Sequence, residues 1–220
     1  GRTLRFLYDG PYDEFRKTLF SVGRIPVPKW IRETPEPIDL ERFHTIFAKH
    51  DGAVATPAAG LHFSRELFKR MEIKGIEKAF LTLHMGLGHF RTIDVEDLSK
   101  HKMDSEQMNI SEETADMVNA THRNGKKVFA VGITVMRALE TPVTTQAEIK
   151  PYSGWTNKFI FPPYNFSIAD AFITNFHLPS STMLMSAAAF GGFENVMNAY
   201  DVALKEGYKF GTYGDAMLII

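Results

Sequence analysis

The chain has 220 residues, enough for one large domain with its own hydrophobic core. It contains no cysteine, which excludes disulfide bonds, thiolate nucleophiles and cysteine-bearing zinc sites. Its 25 Lys and Arg residues are balanced by 26 Asp and Glu residues, so the overall charge does not favour nucleic-acid binding.

The most apolar stretch, residues 182–190, is about half the length that crosses a bilayer. The N-terminus lacks the basic-then-apolar pattern of a signal peptide. These features indicate a soluble, cytoplasmic protein without a membrane partner. They say nothing about its oligomeric state.

Both ends of the sequence fall within strand-like segments, residues 3–8 and the apolar run 216–220. We therefore interpret the chain as a piece of a longer protein. Four prolines between residues 23 and 37 predict a connection, because proline propagates neither a helix nor a central strand. We expect three parts: the end of a truncated β-rich subdomain (1–22), which would be a remnant of a small β-barrel, a connection (23–50) and an α/β catalytic-type domain (51–220).

After residue 50, strand-like and helical patterns alternate. Helices are predicted from Ser64 to Gly75 and from Ser111 to Gly125, each opened by a serine cap and closed by a glycine. Further helices are predicted over 179–192 and 194–207, strands over 76–83, 128–133 and 168–174, and a long loop over 141–166. This alternation predicts an α/β fold with a largely parallel or mixed sheet and helices on both faces.

Polar residues that follow the strands are the first candidates for a site, because ligands bind beyond the carboxyl ends of strands in open α/β sheets. Segment 83–90 carries Gly86 and Gly88, which allow close approach of a ligand or simply form a tight turn with incidental histidines. Segment 131–140 offers backbone N–H groups and Arg137 to a carboxylate or phosphate; alternatively, Arg137 and Glu140 form a surface pair.

Segment 174–182 places Asn175 and His177 among apolar residues, so each needs a buried partner or a ligand. Segment 52–63 is rich in small residues and ends in a histidine just before a helix cap, and segment 101–106 adds another histidine and Glu106. A metal-dependent hydrolase is one interpretation of these histidines. The chain has no compact His-Glu-x-x-His spacing, so we expect no metal.

Taken together, these segments resemble the S-adenosylmethionine:tRNA ribosyltransferase-isomerase family of queuosine biosynthesis, as the C-terminal portion of a divergent member. The resemblance runs from about Gly23 to the last residue. It rests on six segments in one order: GAVATPAAGLHF (52–63), LTLHMGLGHF (81–90), HKMDSE (101–106), VGITVMRALE (131–140), AFITNFHLPSST (171–182) and YGDAMLI (213–219).

The resemblance implies that S-adenosylmethionine is the co-substrate and tRNA the partner, without a metal. The ribosyl group would be transferred to 7-aminomethyl-7-deazaguanine at the wobble position and isomerised, giving epoxyqueuosine, while adenine and methionine leave. The sulfonium acidifies the ribose C5′ protons, and histidine suits their removal because its unperturbed pKa is about 6.5.

The resemblance also implies which residues form the site. The residues expected to be catalytic are His62, His84, His101, His177, Glu106 and Asp215. The residues expected to bind substrate are Pro57, Gly60, Phe63, Gly86, Gly88, Phe90, Gly132, Thr134, Arg137, Thr174, Asn175, Phe176 and Tyr213.

The chain departs from the family's pattern at several motif positions. The residues that differ are Ala59, His89, Asp104, Ile133, Val135, Met136 and Pro163. Hydroxyls lost at such positions remove hydrogen bonds worth roughly 0.5–1.5 kcal/mol each. The departures leave open two alternatives: a divergent paralogue, or a binding module that holds an adenosine ligand or RNA without transfer.

Two clusters of basic residues are candidate RNA contacts or merely solvated faces. The clusters are Lys69, Arg70 and Lys74, and Arg123, Lys126 and Lys127.

Overall fold

The computed structural model describes residues 5–29 and 31–220, and the chain divides into two compact units, residues 1–43 and 44–220. The first unit contains helix α1 (Tyr12–Val22) and the short helix α2 (Asp39–Arg42). Helix α1 begins after Pro11 and has Asp13 and Glu14 in its first turn, where acidic side chains favour a helix.

The strand predicted over residues 3–8 is wrong for residues 5–8, which lie outside any strand, while residues 3 and 4 lie outside the described residues. The expected β-rich origin of residues 1–22 and the three-part division of the chain stay predictions.

The second unit, all of which is described, alternates strands and helices. Its helices are α3 (Arg65–Ile73), α4 (Glu112–Arg123), α5 (Ile133–Leu139), α6 (Thr182–Gly191) and α7 (Phe193–Lys205). Its strands are β1 (Thr82–Leu83), β2 (Glu106–Ile110), β3 (Phe129–Val131), β4 (Tyr152–Thr156), β5 (Ala171–Asn175) and β6 (Ala216–Ile219). Within the described residues, no helix has both the length and the apolar character that crossing a membrane requires.

The strands of this unit form two three-stranded sheets. Strand β2 lies between β1 and β4, and both pairings are antiparallel. Strand β5 lies between β3 and β6, parallel to β3 and antiparallel to β6. The α/β class is therefore confirmed; one sheet is antiparallel, and the other is mixed rather than largely parallel.

Three predicted boundaries are wrong. The strand predicted over 76–83 is limited to Thr82–Leu83. Ile133 starts helix α5 instead of ending a strand. The chain turns at Gly132, whose φ of 92° is rarely adopted by residues that carry a side chain. The loop predicted over 141–166 contains strand β4, in which exposed Ser153 and Trp155 alternate with more buried neighbours.

The hydrophobic core of the second unit is built from the inward faces of its sheets and helices. Phe172 of β5 and Met136 of α5 are fully buried in it, and Ile133 is also part of this core. Val135 packs against the same core. Three of the departures from the family pattern therefore change apolar packing within one short helix.

Candidate active site

Asn175, the last residue of strand β5, holds the side chain of His62 in one orientation. The side-chain Nδ2 of buried Asn175 donates to the carbonyls of Gly211, at 3.1 Å, and Gly214, at 3.2 Å. Its Oδ1 therefore faces Nε2 of His62, at 3.2 Å. Because Oδ1 can only accept, Nε2 of His62 carries the hydrogen, and Nδ1 of the neutral ring keeps a free lone pair.

His62 is well placed to use this lone pair. It ends a short 3₁₀ helix (Ala58–His62), and it is exposed to solvent while Asn175 is 2% exposed. A base that is oriented by a fixed third group is the arrangement expected in general-base catalysis. The Asn175–His62 pair is thus chemically competent to remove a proton.

A second histidine lies next to this pair but in a different environment. Nε2 of His177 is hydrogen-bonded to Oγ1 of Thr174 at 2.7 Å, and the backbone N–H of His177 donates to the hydroxyl of Tyr200 at 2.8 Å. Burial, with a smaller contribution from His89, lowers the pKa of His177 to about 3. His177 is therefore neutral at pH 7 and suits a positioning role better than proton abstraction.

Arg137 and Glu106 form a buried ion pair, each with 3% of its surface exposed. Nη1 of Arg137 lies 2.5 Å from Oε2 of Glu106, and its Nε donates to the carbonyl of Lys158 at 2.8 Å. The other carboxylate oxygen of Glu106 accepts from the backbone N–H of Gly86 at 2.9 Å. Both oxygens of Glu106 are thus engaged, and the pair holds segment 83–90 in place.

The alternative in which Arg137 and Glu140 form a surface pair is wrong. Glu140 is also buried, and its Oε1 accepts from the backbone N–H groups of Ser167, at 3.0 Å, and Ile168, at 3.1 Å. Arg137 and Glu140 therefore bind different partners, although they are only three residues apart. Nη2 of Arg137 has no hydrogen-bond partner among residues 5–29 and 31–220.

His89 belongs to this cluster but was not among the predicted site residues. Burial, followed by the charge of Arg137, lowers the pKa of His89 to about 4, and His89 in turn acts on His177. The sequence contains a signal for it, since His89 lies inside motif 81–90, where it replaces a residue usual in the family.

Gly88 and Gly52 lie against other side chains, whereas a Cβ on Gly86 would meet nothing within 4 Å. A Cβ on Gly88 would lie 2.5 Å from Oδ2 of Asp104, whose carboxylate also pairs with Arg91 at 3.1 Å. His84 packs against Gly52, where a Cβ would lie 2.7 Å from its Nδ1. Asp104, which departs from the family pattern, therefore lies against Gly88 and pairs with Arg91.

The remaining predicted catalytic residues lie in distinct surroundings. The ring of His101 contacts Phe159, with centroids 4.9 Å apart, and His101 also lines a cleft of about 540 Å³. The cleft is lined by Phe90, Arg91, Thr92, Asp94, Val95, Lys100, His101 and Lys102. Oδ2 of Asp215 accepts from the backbone N–H of Lys209 at 2.7 Å.

The predicted aromatic surfaces are engaged within the protein. Phe176 is 4% exposed and contacts Tyr200 and Phe210 with centroids 5.2 and 5.3 Å apart. Phe63 contacts Phe68 at 5.8 Å. Phe90, with 49% of its surface exposed, is the more accessible ring for a ligand.

The predicted small and polar residues of the site are placed as follows. A Cβ on Gly60 would lie 2.9 Å from the ring of Phe47, and the N–H of Gly60 donates to the carbonyl of Pro57, which precedes the 3₁₀ helix, at 2.8 Å. Thr134 is buried beside Gly132, and its Oγ1 lies 3.5 Å from where a Cβ on that glycine would be. Tyr213 has a φ of 62°.

Across the described part of the chain, no group of three or more histidine and acidic side chains is arranged to hold a metal ion. The two basic clusters are partly paired: Lys69 lies 3.9 Å from Glu72, and Arg123 lies 2.8 Å from Glu148.

The fold and these contacts define an α/β protein with a polar site at the end of a central strand, in which histidines, a buried ion pair and backbone carbonyls meet. A family model described as "Queuosine biosynthesis protein" matches residues 1–219. The chain belongs to this family.

Relatives and a solved structure agree with this membership. The chain is 64% identical to the S-adenosylmethionine:tRNA ribosyltransferase-isomerase of Bacteroides fragilis and 57% identical to that of Flavobacterium psychrophilum, in both cases over 100% of the chain. It is 40% identical to the crystal structure of an S-adenosylmethionine tRNA ribosyltransferase from Thermotoga maritima, with a TM-score of 0.62, over 74% of this chain and 52% of that one. The chain spans 63% of the length of the two relatives.

Proposed function

We propose that this chain is the portion of an S-adenosylmethionine:tRNA ribosyltransferase-isomerase that carries the proton-transfer chemistry. The enzyme transfers the ribosyl group of S-adenosylmethionine to 7-aminomethyl-7-deazaguanine at the wobble position of tRNA and isomerises it, giving epoxyqueuosine in the cytoplasm. The 64% identity over the whole chain to a relative of that name is the observation that carries the proposal. S-adenosylmethionine and tRNA are the substrates, and no metal takes part.

The geometry supports His62 as the general base of this reaction. The sulfonium makes the ribose C5′ protons acidic, and Nδ1 of His62 takes one of them. As the ring becomes positively charged, its Nε2–H strengthens the hydrogen bond to Oδ1 of Asn175, which two backbone carbonyls hold in place. His84 and His101 lack such a fixed partner among the hydrogen bonds of the described residues.

The departures from the family pattern are compatible with activity. Ile133 and Met136 lie in the hydrophobic core, so their apolar side chains replace no group of the polar site. Thr134 and Arg137, which keep the pattern, are the polar residues of this helix and both are buried at the site. The replaced residues of helix α5 therefore act through apolar packing.

The experiment is release of adenine from S-adenosylmethionine labelled in the adenine ring, in the presence of tRNA that carries the 7-aminomethyl-7-deazaguanine base. We expect the unmodified chain to release adenine and to increase the mass of the wobble nucleoside, and His62→Ala to abolish both. The matched control is His122→Ala, since His122 lies on helix α4 and contacts Asp170 instead of the site. Full release by His62→Ala would refute the assignment of the base, and no release by the unmodified chain would refute the activity.

A second candidate is a module that binds adenosine or RNA without transfer. It is favoured by the departures from the family pattern at Ile133, Val135 and Met136. Saturable binding of S-adenosylmethionine without adenine release, in the same assay, selects this candidate.

A further inference from the structure

The cleft that is lined by Phe90 and His101 carries more positive charge than the chain as a whole. Its volume is about 540 Å³. The charged side chains that line it are Arg91, Lys100, Lys102 and Asp94. Three cations therefore line the cleft together with one carboxylate, whereas the whole chain has 25 basic and 26 acidic residues. Such a local excess of positive charge attracts an anionic ligand.

The three cations of the cleft are available to a ligand. Nη1 of Arg91 lies 3.1 Å from Oδ1 of Asp104, and the ammonium group of Lys100 lies 3.8 Å from Oδ2 of Asp97. Both pairs are exposed, with 62% of the Arg91 side chain and 75% of the Lys100 side chain open to solvent, and such pairs stabilise a protein little. Lys102 is exposed and has no ion-pair partner in the part of the chain that the structure describes. The cations can therefore turn to a phosphate, since the carboxylates that they leave stay hydrated.

The walls of the cleft continue chain segments that belong to the candidate active site. One wall, residues 90–92, continues the stretch that Glu106 binds through a backbone N–H. The other wall, residues 100–102, leads into strand β2, which begins at Glu106. Thr92 forms an antiparallel bridge with Ser181, the N-cap of helix α6. The cleft is therefore fixed to the same elements that position the site.

The class of ligand follows from the charge and from the exposed aromatic ring. S-adenosylmethionine carries a sulfonium and an ammonium group besides one carboxylate, so its net charge is positive and a cationic cleft does not favour it. RNA carries one negative charge per phosphate, and Lys and Arg side chains bind its backbone. Phe90 is 49% exposed and offers a surface on which an unpaired base can stack. Cations beside an exposed ring are typical of sites for single-stranded nucleic acid.

We propose that this cleft binds a single-stranded segment of the tRNA, with Arg91, Lys100 and Lys102 on its phosphates and Phe90 against one unpaired base. The inference rests on the proposed function, which supplies the tRNA as substrate. Asp94 limits the affinity, because its carboxylate repels the same phosphates. The cleft positions the tRNA and takes no part in the chemical steps.

The test is the affinity of the chain for tRNA that carries the 7-aminomethyl-7-deazaguanine base, measured by fluorescence anisotropy over a series of salt concentrations. Each cation on a single-stranded phosphate contributes about 0.7 to the slope of log Kobs against log salt concentration. Lys102→Gln should therefore lower this slope by about 0.7 and weaken binding about fivefold at about 0.1 M salt. Asp94→Asn should strengthen binding by a similar factor, because it removes a repulsive charge. Phe90→Leu should weaken binding about tenfold without changing the slope, because it removes stacking but no charge.

The matched control is Lys126→Gln, which removes the same charge from an exposed lysine of another basic cluster and should leave the slope and the affinity unaltered. An equal effect of Lys126→Gln and Lys102→Gln would overturn the inference, because the net charge and not the cleft would then determine binding. Unaltered tRNA affinity in Lys102→Gln and Asp94→Asn would overturn it as well. Weaker binding of S-adenosylmethionine by Lys102→Gln, with unaltered tRNA affinity, would assign the cleft to that substrate instead.

Failure of this inference is distinguishable from failure of the proposed function. If the unmodified chain releases adenine and binds tRNA, but the cleft variants bind tRNA as it does, the inference alone is refuted. If the unmodified chain binds no tRNA, both are refuted.

Discussion

Replacing His177 by glutamine should remove much of the acid sensitivity of the second unit. Burial lowers the pKa of His177 from 6.5 to about 3, so the folded state resists a proton that the unfolded state accepts. The stability that results is fully present above pH 6.5 and is lost as the pH falls through that window toward 3. Glutamine places a polar atom near the position of Nε2, keeps a hydrogen bond to Thr174 possible, and does not titrate.

The size of the effect follows from the two pKa values. At about pH 4.5 the unfolded histidine is almost fully protonated and the folded one almost fully neutral, which favours unfolding by about 3 kcal/mol relative to neutral pH. The groups that face His177 are Thr174, Tyr200 and His89, and burial raises the pKa of Tyr200, so that it stays uncharged. His89 is present in both proteins, so comparison of the variant with the unmodified chain reports His177 together with its interaction with His89.

The assay is urea unfolding followed by far-UV circular dichroism at about pH 7 and about pH 4.5, with NMR titration of the histidine ring protons beside it. Between the two conditions, the unmodified chain should lose about 3 kcal/mol more stability than His177→Gln. An equal loss in both proteins, or a His177 ring signal that titrates above about pH 5, would refute the reasoning.

Three further variants test the frame around the site. Asn175→Ala leaves the buried carbonyl of Gly214 unpaired, whereas the carbonyl of Gly211 keeps the N–H of Gly214, and it frees His62. Thermal unfolding should therefore show a loss of about 1–3 kcal/mol, and Gln at the same position should restore less turnover than stability. Gly132→Ala should lower the free energy of unfolding in urea by about 1–3 kcal/mol, because the φ of 92° is unfavourable for a residue with a side chain. The control, Gly86→Ala, should lower it far less, since Gly86 has a φ of −90° and nothing within 4 Å of the new Cβ. Equal losses in the two variants would contradict the explanation from the backbone dihedral. Ser181→Ala removes the cap of helix α6, which accepts from Leu184, and should lower the free energy of unfolding by about 1 kcal/mol, with Ser181→Asp retaining most of it.

Local chemistry made several elements predictable from the sequence. Ser64 and Ser111 cap helices α3 and α4 by accepting from backbone N–H groups three residues ahead, as their positions indicated. The polar residues of segment 174–182 are predicted to need buried partners or a ligand, and Asn175 and His177 are both buried and hydrogen-bonded. Caps and buried polar runs depend on neighbours in the sequence, which is why they could be inferred.

Pairings between distant segments could not be predicted in the same way. Nothing near Arg137 in the sequence indicates that it pairs with Glu106, 31 residues away, and not with Glu140, which directly follows helix α5. Strand β4 was hidden in a segment rich in turn-forming residues because its stability comes from the ladder with β2. Tertiary packing determines such partners, and they cannot be identified from a single sequence.

The charge balance of the site bears on the proposed chemistry. Removal of a C5′ proton turns a sulfonium cation into a neutral ylide-like species, so a carboxylate held against the sulfur would stabilise the substrate more than the transition state. Here the nearby carboxylates are engaged elsewhere, Glu106 by Arg137 and Gly86, and Asp215 by the backbone N–H of Lys209. His89 and His177 present neutral rings, which oppose neither the cation nor its loss. Glu106→Gln keeps a carbonyl for one of its two partners and loosens segment 83–90, so it should reduce turnover in the adenine-release assay, and raising the ionic strength should not restore it.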